Sequence, residues 1–141
     1  MKKILFLTGF MIFALASFAQ GNLQFNRVFF VEADFPVTNS NSYNFVETAF
    51  TVPAGKVWKI ESAHGTYENN NSTNLSYNAF VQVMIDKKLI HYYNSNGLSV
   101  AGSYLPMWLP EGTYTLKVVM SSGGSVGHNI YGGFTGIEFN V

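Results

Sequence analysis

The sequence predicts an all-β protein: an antiparallel β-sandwich of jelly-roll type with about eight strands, following an N-terminal signal peptide. Three observations predict it. Beyond the first nineteen residues, no long stretch combines apolar spacing at i, i+3, i+4 and i+7 with helix caps at its ends. Alternating apolar runs recur at spacings near the roughly 8–12 residues of sandwich folds. Two turn devices of the same make, Val52-Pro53-Ala54-Gly55 and Leu109-Pro110-Glu111-Gly112, each lead into such a run.

The chain starts with Lys2 and Lys3, an apolar stretch from Ile4 to Leu15, and then Ser17-Phe18-Ala19, with small residues where a signal peptidase reads. The apolar stretch falls short of the roughly 20 residues of a membrane span. Cleavage after Ala19 is expected, giving a secreted or extracytoplasmic protein with no membrane span. Residues 20–141 then form one domain, of a size that buries roughly two-thirds of its unfolded surface.

The strands are expected at residues 24–32, 43–52, 56–64, 77–86, 88–93, 103–109, 113–120 and 134–141. Between them lie VTNSNS, ENNNSTN, NSNG and SSGGSVG, whose short polar side chains favour turns and cannot build a core. From Thr113 the alternation places Tyr114, Leu116, Val118 and Met120 on a core face and Thr113, Thr115 and Lys117 in water. Pro110 fixes φ inside the preceding turn and Gly112 closes it, so the strand is entered at a defined register. Leu109, Gly112 and Tyr114 fit a tyrosine corner, in which the phenol bonds back to upstream backbone. Pro53 and Gly55 repeat the device ahead of a strand with Trp58 and Ile60 inward and Lys59 and Glu61 outward. Asp86-Lys87-Lys88 is the polar break of a tight hairpin. Two matching corners suggest two Greek-key halves, hence a jelly roll rather than a seven-stranded immunoglobulin sandwich.

Charge and composition exclude some partners. Loss of Lys2 and Lys3 leaves six basic against eight acidic side chains, dispersed apart from Lys87-Lys88, so nucleic acid is not an expected partner. The sequence has no cysteine. No disulfide framework, thiolate metal site or lipid-bearing cysteine is therefore available.

The segments YNFVETAFTVPAGKVWKI, VQVMIDKKLIHYY, WLPEGTYTLKVVM and YGGFTGIEFNV, in that order, resemble the strand order of the C1q/TNF-like jelly rolls. The matching positions are Tyr43, Phe50, Pro53, Leu109, Gly112, Phe134, Thr135 and Gly136, over residues 43–141. No collagen-like stalk precedes them, and Trp58 stands where the family often carries Tyr or Phe. The resemblance implies a homotrimer packed through apolar strands about a threefold axis, with binding through exposed loops.

No catalytic signature stands out. Gly123-x-Ser125-x-Gly127 followed by His128 has the spacing of a nucleophile elbow, but the strand–turn–helix that strains such a serine is not predicted here. His64, His91 and His128 fall on separate segments without metal-ligand spacing. No pair of carboxylates is singled out for glycosidase work; Glu61, Glu111 and Glu138 read as outward charges. No metal and no cofactor are expected, and the chain does not read as an enzyme.

Aromatic residues are the compositional excess: Trp58, Trp108, eight Tyr and nine Phe after the leader. Adjacent strand residues point to opposite faces, so one of Tyr92 and Tyr93 must face away from the core. Tyr92, Tyr93 and Trp108, together with the polar loop carrying Asn70, Asn71 and Asn74, are the candidate ligand-binding residues; Pro53, Gly55, Leu109, Pro110, Gly112 and Tyr114 are the structural corners. The expected role is a secreted, non-enzymatic module for surface recognition or adhesion, homo-oligomeric with a trimer favoured, taking a glycan or protein surface as ligand. The alternatives are a carbohydrate-binding module using exposed aromatics and, after it, a small hydrolase or metal enzyme.

Overall fold

The computed structural model describes residues 23–37, 43–68, 80–94, 99–101, 104–121 and 129–141. Residues 1–22, Asn70, Asn71, Asn74, Ser125 and His128 lie outside them. Nine strands occur among the described residues: β1 (Gln24–Pro36), β2 (Asn44–Val52), β3 (Lys56–Glu68), β4 (Phe80–Ile85), β5 (Lys88–Asn94), β6 (Ser99–Ala101), β7 (Met107–Leu109), β8 (Gly112–Ser121) and β9 (Asn129–Asn140). They form two antiparallel sheets, ordered β1-β9-β3-β7 and β2-β8-β4-β5-β6.

The pairing is nested. β1 pairs with β9, β2 with β8, β3 with β7 and β4 with β5, so the chain is one long hairpin folded around itself. The β3–β9 and β4–β8 ladders join successive turns of the roll. These eight strands make the jelly roll that the sequence predicts, in two sheets, and β6 adds a ninth on the outer edge of β5.

The core lies between the sheets. Ile60, Val81, Val83, Ile90, Leu116, Val118, Ile130 and Phe134 are fully buried. Both strand phases assigned from the sequence hold: Trp58 and Ile60 face inward, as do Tyr114, Leu116, Val118 and Met120. Much of the aromatic excess is a cluster bridging the sheets. Trp58 lies 3.9 Å from Phe29 and 5.8 Å from Phe50, ring centre to ring centre, and Phe50 lies 5.1 Å from Phe134 and 5.7 Å from Tyr114.

Both turn devices close as expected. Lys56 N donates to Pro53 O at 3.1 Å, with Gly55 at φ 67°. Tyr114 Oη donates to Pro110 O at 2.9 Å, which is the tyrosine corner. Gly55 N donates to Glu111 Oε2 at 2.8 Å, so the first corner is tied to the second. Asp86 and Lys87, at φ 45° and 70°, form the two-residue hairpin turn whose twist matches the flanking strands. Loss of the phenol in Tyr114→Phe is expected to cost about 1 kcal/mol, read as a lower urea midpoint with an unchanged slope; an unaltered midpoint would show that the corner contributes nothing.

Several strand limits differ from expectation. β9 starts at Asn129 rather than 134, through Gly132 and Gly133, where glycine propensity argues against a strand. Packing demands glycine here. A Cβ on Gly132 would lie 2.7 Å from both methyls of Val118, and one on Gly133 would lie 2.3 Å from Val31 O. β1 and β3 run on to Pro36 and Glu68, alongside this early part of β9. Of the strand expected at residues 103–109, the described part from Tyr104 onward is strand only at Met107–Leu109, because Pro106 has no N–H to give a ladder. β6 was not expected: three residues are too few for an alternation to register.

Candidate functional site

The candidate residues separate onto different surfaces. Tyr92 pairs with Gln82 on the outer face of the five-stranded sheet, where its ring centre lies 5.6 Å from that of Phe80. Tyr93 pairs with fully buried Val81 and packs against the core. Of the two tyrosines, then, Tyr92 is the outward one. Trp108 lies between buried Met107 and Leu109, so it points out of the four-stranded sheet and is 47 % exposed. Its ring centre is 5.6 Å from that of Phe139, and Lys59 Nζ sits 5.6 Å above it. The structure thus puts Tyr92 and Trp108 on opposite faces of the sandwich.

Trp108 belongs to a larger apolar surface. On β1, Phe29 and Val31 turn into the core, so Val28 and Phe30 turn out. The β1–β9–β3–β7 register sets Val28, Ile137, Lys59 and Trp108 in one row across the outer face, with Phe25, Phe139 and Val57 in the next. Phe25 is 63 % exposed, Val28 68 % and Phe30 55 %. These large exposed side chains lie together on one face, unlike the isolated apolar residues of ordinary surfaces.

The same face becomes polar towards its other end. Ser62 and Thr135 share a hydroxyl hydrogen bond of 2.7 Å, His64 stacks on Phe30 with ring centres 5.5 Å apart, and His64 Nε2 lies 3.9 Å from Glu32 Oε1 across Gly133. Sequence reasoning passed over Phe25, Val28 and Phe30. Its available signal was RVFFVEA, a run apolar in both strand phases, which marks a strand with both faces engaged.

Glu138 requires a correction. It was expected to face outward as a solubility charge, but it is 2 % exposed and points between the sheets. Its carboxylate accepts from Trp58 Nε1 at 2.7 Å and from Asn26 Nδ2, and Arg27 Nε approaches to 3.2 Å. Burial pushes the carboxyl upward, but these three donors and the Arg27 charge outweigh it and hold Glu138 below the usual range. Parity with Phe134 was the missed signal: positions 134, 136 and 138 share one face. Glu61 and Glu111 are exposed, as expected.

His64 and His91 do not meet. His64 lies on the outer face, whereas His91 pairs with buried Val83 and is itself buried. Burial and the His64 charge push the His91 imidazole downward, opposed by its hydrogen bond to the Gly65 backbone. Among the described residues no three His, Cys, Asp or Glu side chains are grouped to hold a metal ion, and no helix is long and apolar enough to cross a membrane. Searches of protein-family models, curated proteins and solved structures find no match to this chain.

Proposed function

We propose that the protein is a secreted, non-enzymatic jelly-roll module that self-associates through the outer face of the β1-β9-β3-β7 sheet and acts by multivalent surface recognition or adhesion. The observation that carries this reading is the group of exposed apolar side chains Phe25, Val28, Phe30 and Trp108 on that one face. Leaving it in water forgoes roughly 25 cal/mol for each Å² of apolar area that another surface would cover. A second and third copy of the chain suit the face. Its charges are largely answered within the subunit, Lys59 by Glu61 at 2.6 Å and Arg27 by Glu138, and the near balance of basic and acidic side chains opposes self-association only weakly.

The trimer follows the resemblance to the C1q/TNF-like domains, and the nested strand order supports that likeness at the level of fold. Light scattering on a sizing column is expected to give a stable mass of about three chains, since closed rings are a common outcome of head-to-tail interfaces. The double variant Val28→Asp, Phe30→Asp is expected to run as one chain with an unchanged circular dichroism spectrum, because both side chains point away from the core. A wild-type monomer at every accessible concentration, or a double variant that keeps the assembled mass, would refute the proposal.

A carbohydrate-binding module remains the second reading. Trp108 beside Phe139, and Tyr92 beside Phe80, present ring surface of the kind on which sugar C–H groups stack. Trp108→Ala retained by polysaccharide columns as well as wild type would remove the first of these platforms.

A further inference from the structure

On the sheet opposite the apolar face, a depression of about 520 Å³ opens beside the β4–β5 turn, lined by Glu47, Asp86, Lys87, Thr115 and Lys117. It exists because β8 and β2 run on past the end of β4, and there the cross-strand pair is small: Ala49 opposite Thr115. Larger pairs bound it. Glu47 lies opposite Lys117, joined at 2.7 Å, on one side, and the hairpin turn forms the other.

The turn is fixed by two bonds to one residue. Asp86 N donates to Thr115 O at 3.1 Å, and Asp86 Oδ1 accepts from Thr115 N at 2.9 Å. The positive φ of Asp86 and Lys87 then sets where the carboxylate and the ammonium stand. Phe45, 55 % exposed, lies beyond the Glu47–Lys117 pair, two residues from Glu47 on the same outer face, with Lys117 Nζ 4.3 Å from its ring centre.

Carboxylates and ammoniums in equal number select against charged ligands. An anion drawn to Lys87 and Lys117 meets Glu47 and Asp86, while a cation drawn to the carboxylates meets the two lysines. Hydroxyl groups suit all of them, because each one donates to a carboxylate and accepts from an ammonium, and the Thr115 hydroxyl does both. The volume falls within the roughly 300–1,000 Å³ of small-ligand sites, and the open side lets a chain continue outward. We infer that this depression is a binding site for a neutral saccharide unit, with Asp86, Glu47 and Lys87 bonding ring hydroxyls. It supplies the recognition half of the role proposed above and does not depend on self-association, since it lies on the other sheet.

The test is an amide NMR titration of ¹⁵N-labelled protein, purified as the host accumulates it from the full-length sequence. Maltose, cellobiose and lactose serve as neutral probes, with inorganic phosphate and putrescine as charged ones, up to about 50 mM, well above the about 1 mM dissociation constants of weak sites. At least one disaccharide is expected to shift the amides of Asp86, Lys87, Thr115 and Lys117 saturably, and the charged probes are not. Lys87→Gly, which suits φ 70° and removes the ammonium, is expected to weaken that binding at least about tenfold. Failure of all three disaccharides to give saturable shifts would overturn the inference. So would shifts centred on Trp108 and Phe139, a stronger response to phosphate or putrescine, or unaltered affinity in Lys87→Gly. The mass of the same sample separates the two ideas: an assembled protein that ignores sugar defeats only this site, and a monomer that binds sugar defeats only the assembly.

Discussion

Phe134→Ala is expected to lower the unfolding free energy by about 3–5 kcal/mol, the usual cost of truncating a fully buried phenylalanine. Phe134 has no exposed surface, and its ring lies 5.1 Å from Phe50 on the opposing sheet and 6.2 Å, edge-on, from Phe29 on its own. Removing the ring takes away contacts to both sheets at once. Strands β1, β2 and β9 cannot close on the gap without shifting ladders on which Trp58 also depends, so relaxation is limited and the cavity persists. Domains of this size are stable by about 5–15 kcal/mol, so the variant is left with a small margin. Urea unfolding monitored by tryptophan fluorescence should show a much lower midpoint with the same slope. A loss below about 1 kcal/mol would mean that the aromatic cluster collapses to fill the site and is not the joint between the sheets.

The same cluster shows what the sequence could and could not convey. Alternation placed Trp58, Tyr114 and Leu116 correctly, because a period of two is a local property and both corners set the phase at the start of their strands. The tyrosine corner was legible for the same reason: Pro110, Gly112 and Tyr114 lie within five consecutive positions, and the bond closes inside them. The early part of β9 was not legible. Gly132 and Gly133 argue against a strand by propensity, and the reason they stand in one, contact with Val118 and Val31, comes from residues far away in sequence. The outer face was hidden differently. Phe25, Val28 and Phe30 look like ordinary strand residues singly, and only the β1–β9–β3–β7 register aligns them with Ile137, Phe139 and Trp108. The aromatic surplus, read as either core or surface, serves both: five rings bridge the sheets, and others line the outer faces.

Glu138→Ala is expected to cost about 3 kcal/mol, even though the residue lies on a terminal strand and was read as a solvated charge. The ion pair with Arg27 contributes a minor part, because the Arg27 side chain is 60 % exposed and water replaces most of what the pair loses. The larger part comes from Trp58. Its indole N–H is buried with Glu138 Oε2 as acceptor, and an orphaned donor costs about 1–3 kcal/mol. The cavity left by the side chain adds to this, and a fall in melting temperature on the order of 10 °C should follow for a domain of this length.

Acid offers a second readout that a purely steric role would not move. The folded carboxyl titrates below its ordinary value of 4.5, so as pH falls the unfolded chain takes up the proton first and stability drops with it. The contribution is fully present above pH 4.5 and is lost as pH falls below it toward the folded value. Glu138→Gln keeps the shape but cannot titrate, so its stability should fall less than that of wild type between about pH 5 and pH 3. Parallel stability curves for the two proteins over that range would sink the assignment of Glu138 as a buried, ionised acceptor and leave only its volume to explain the alanine variant.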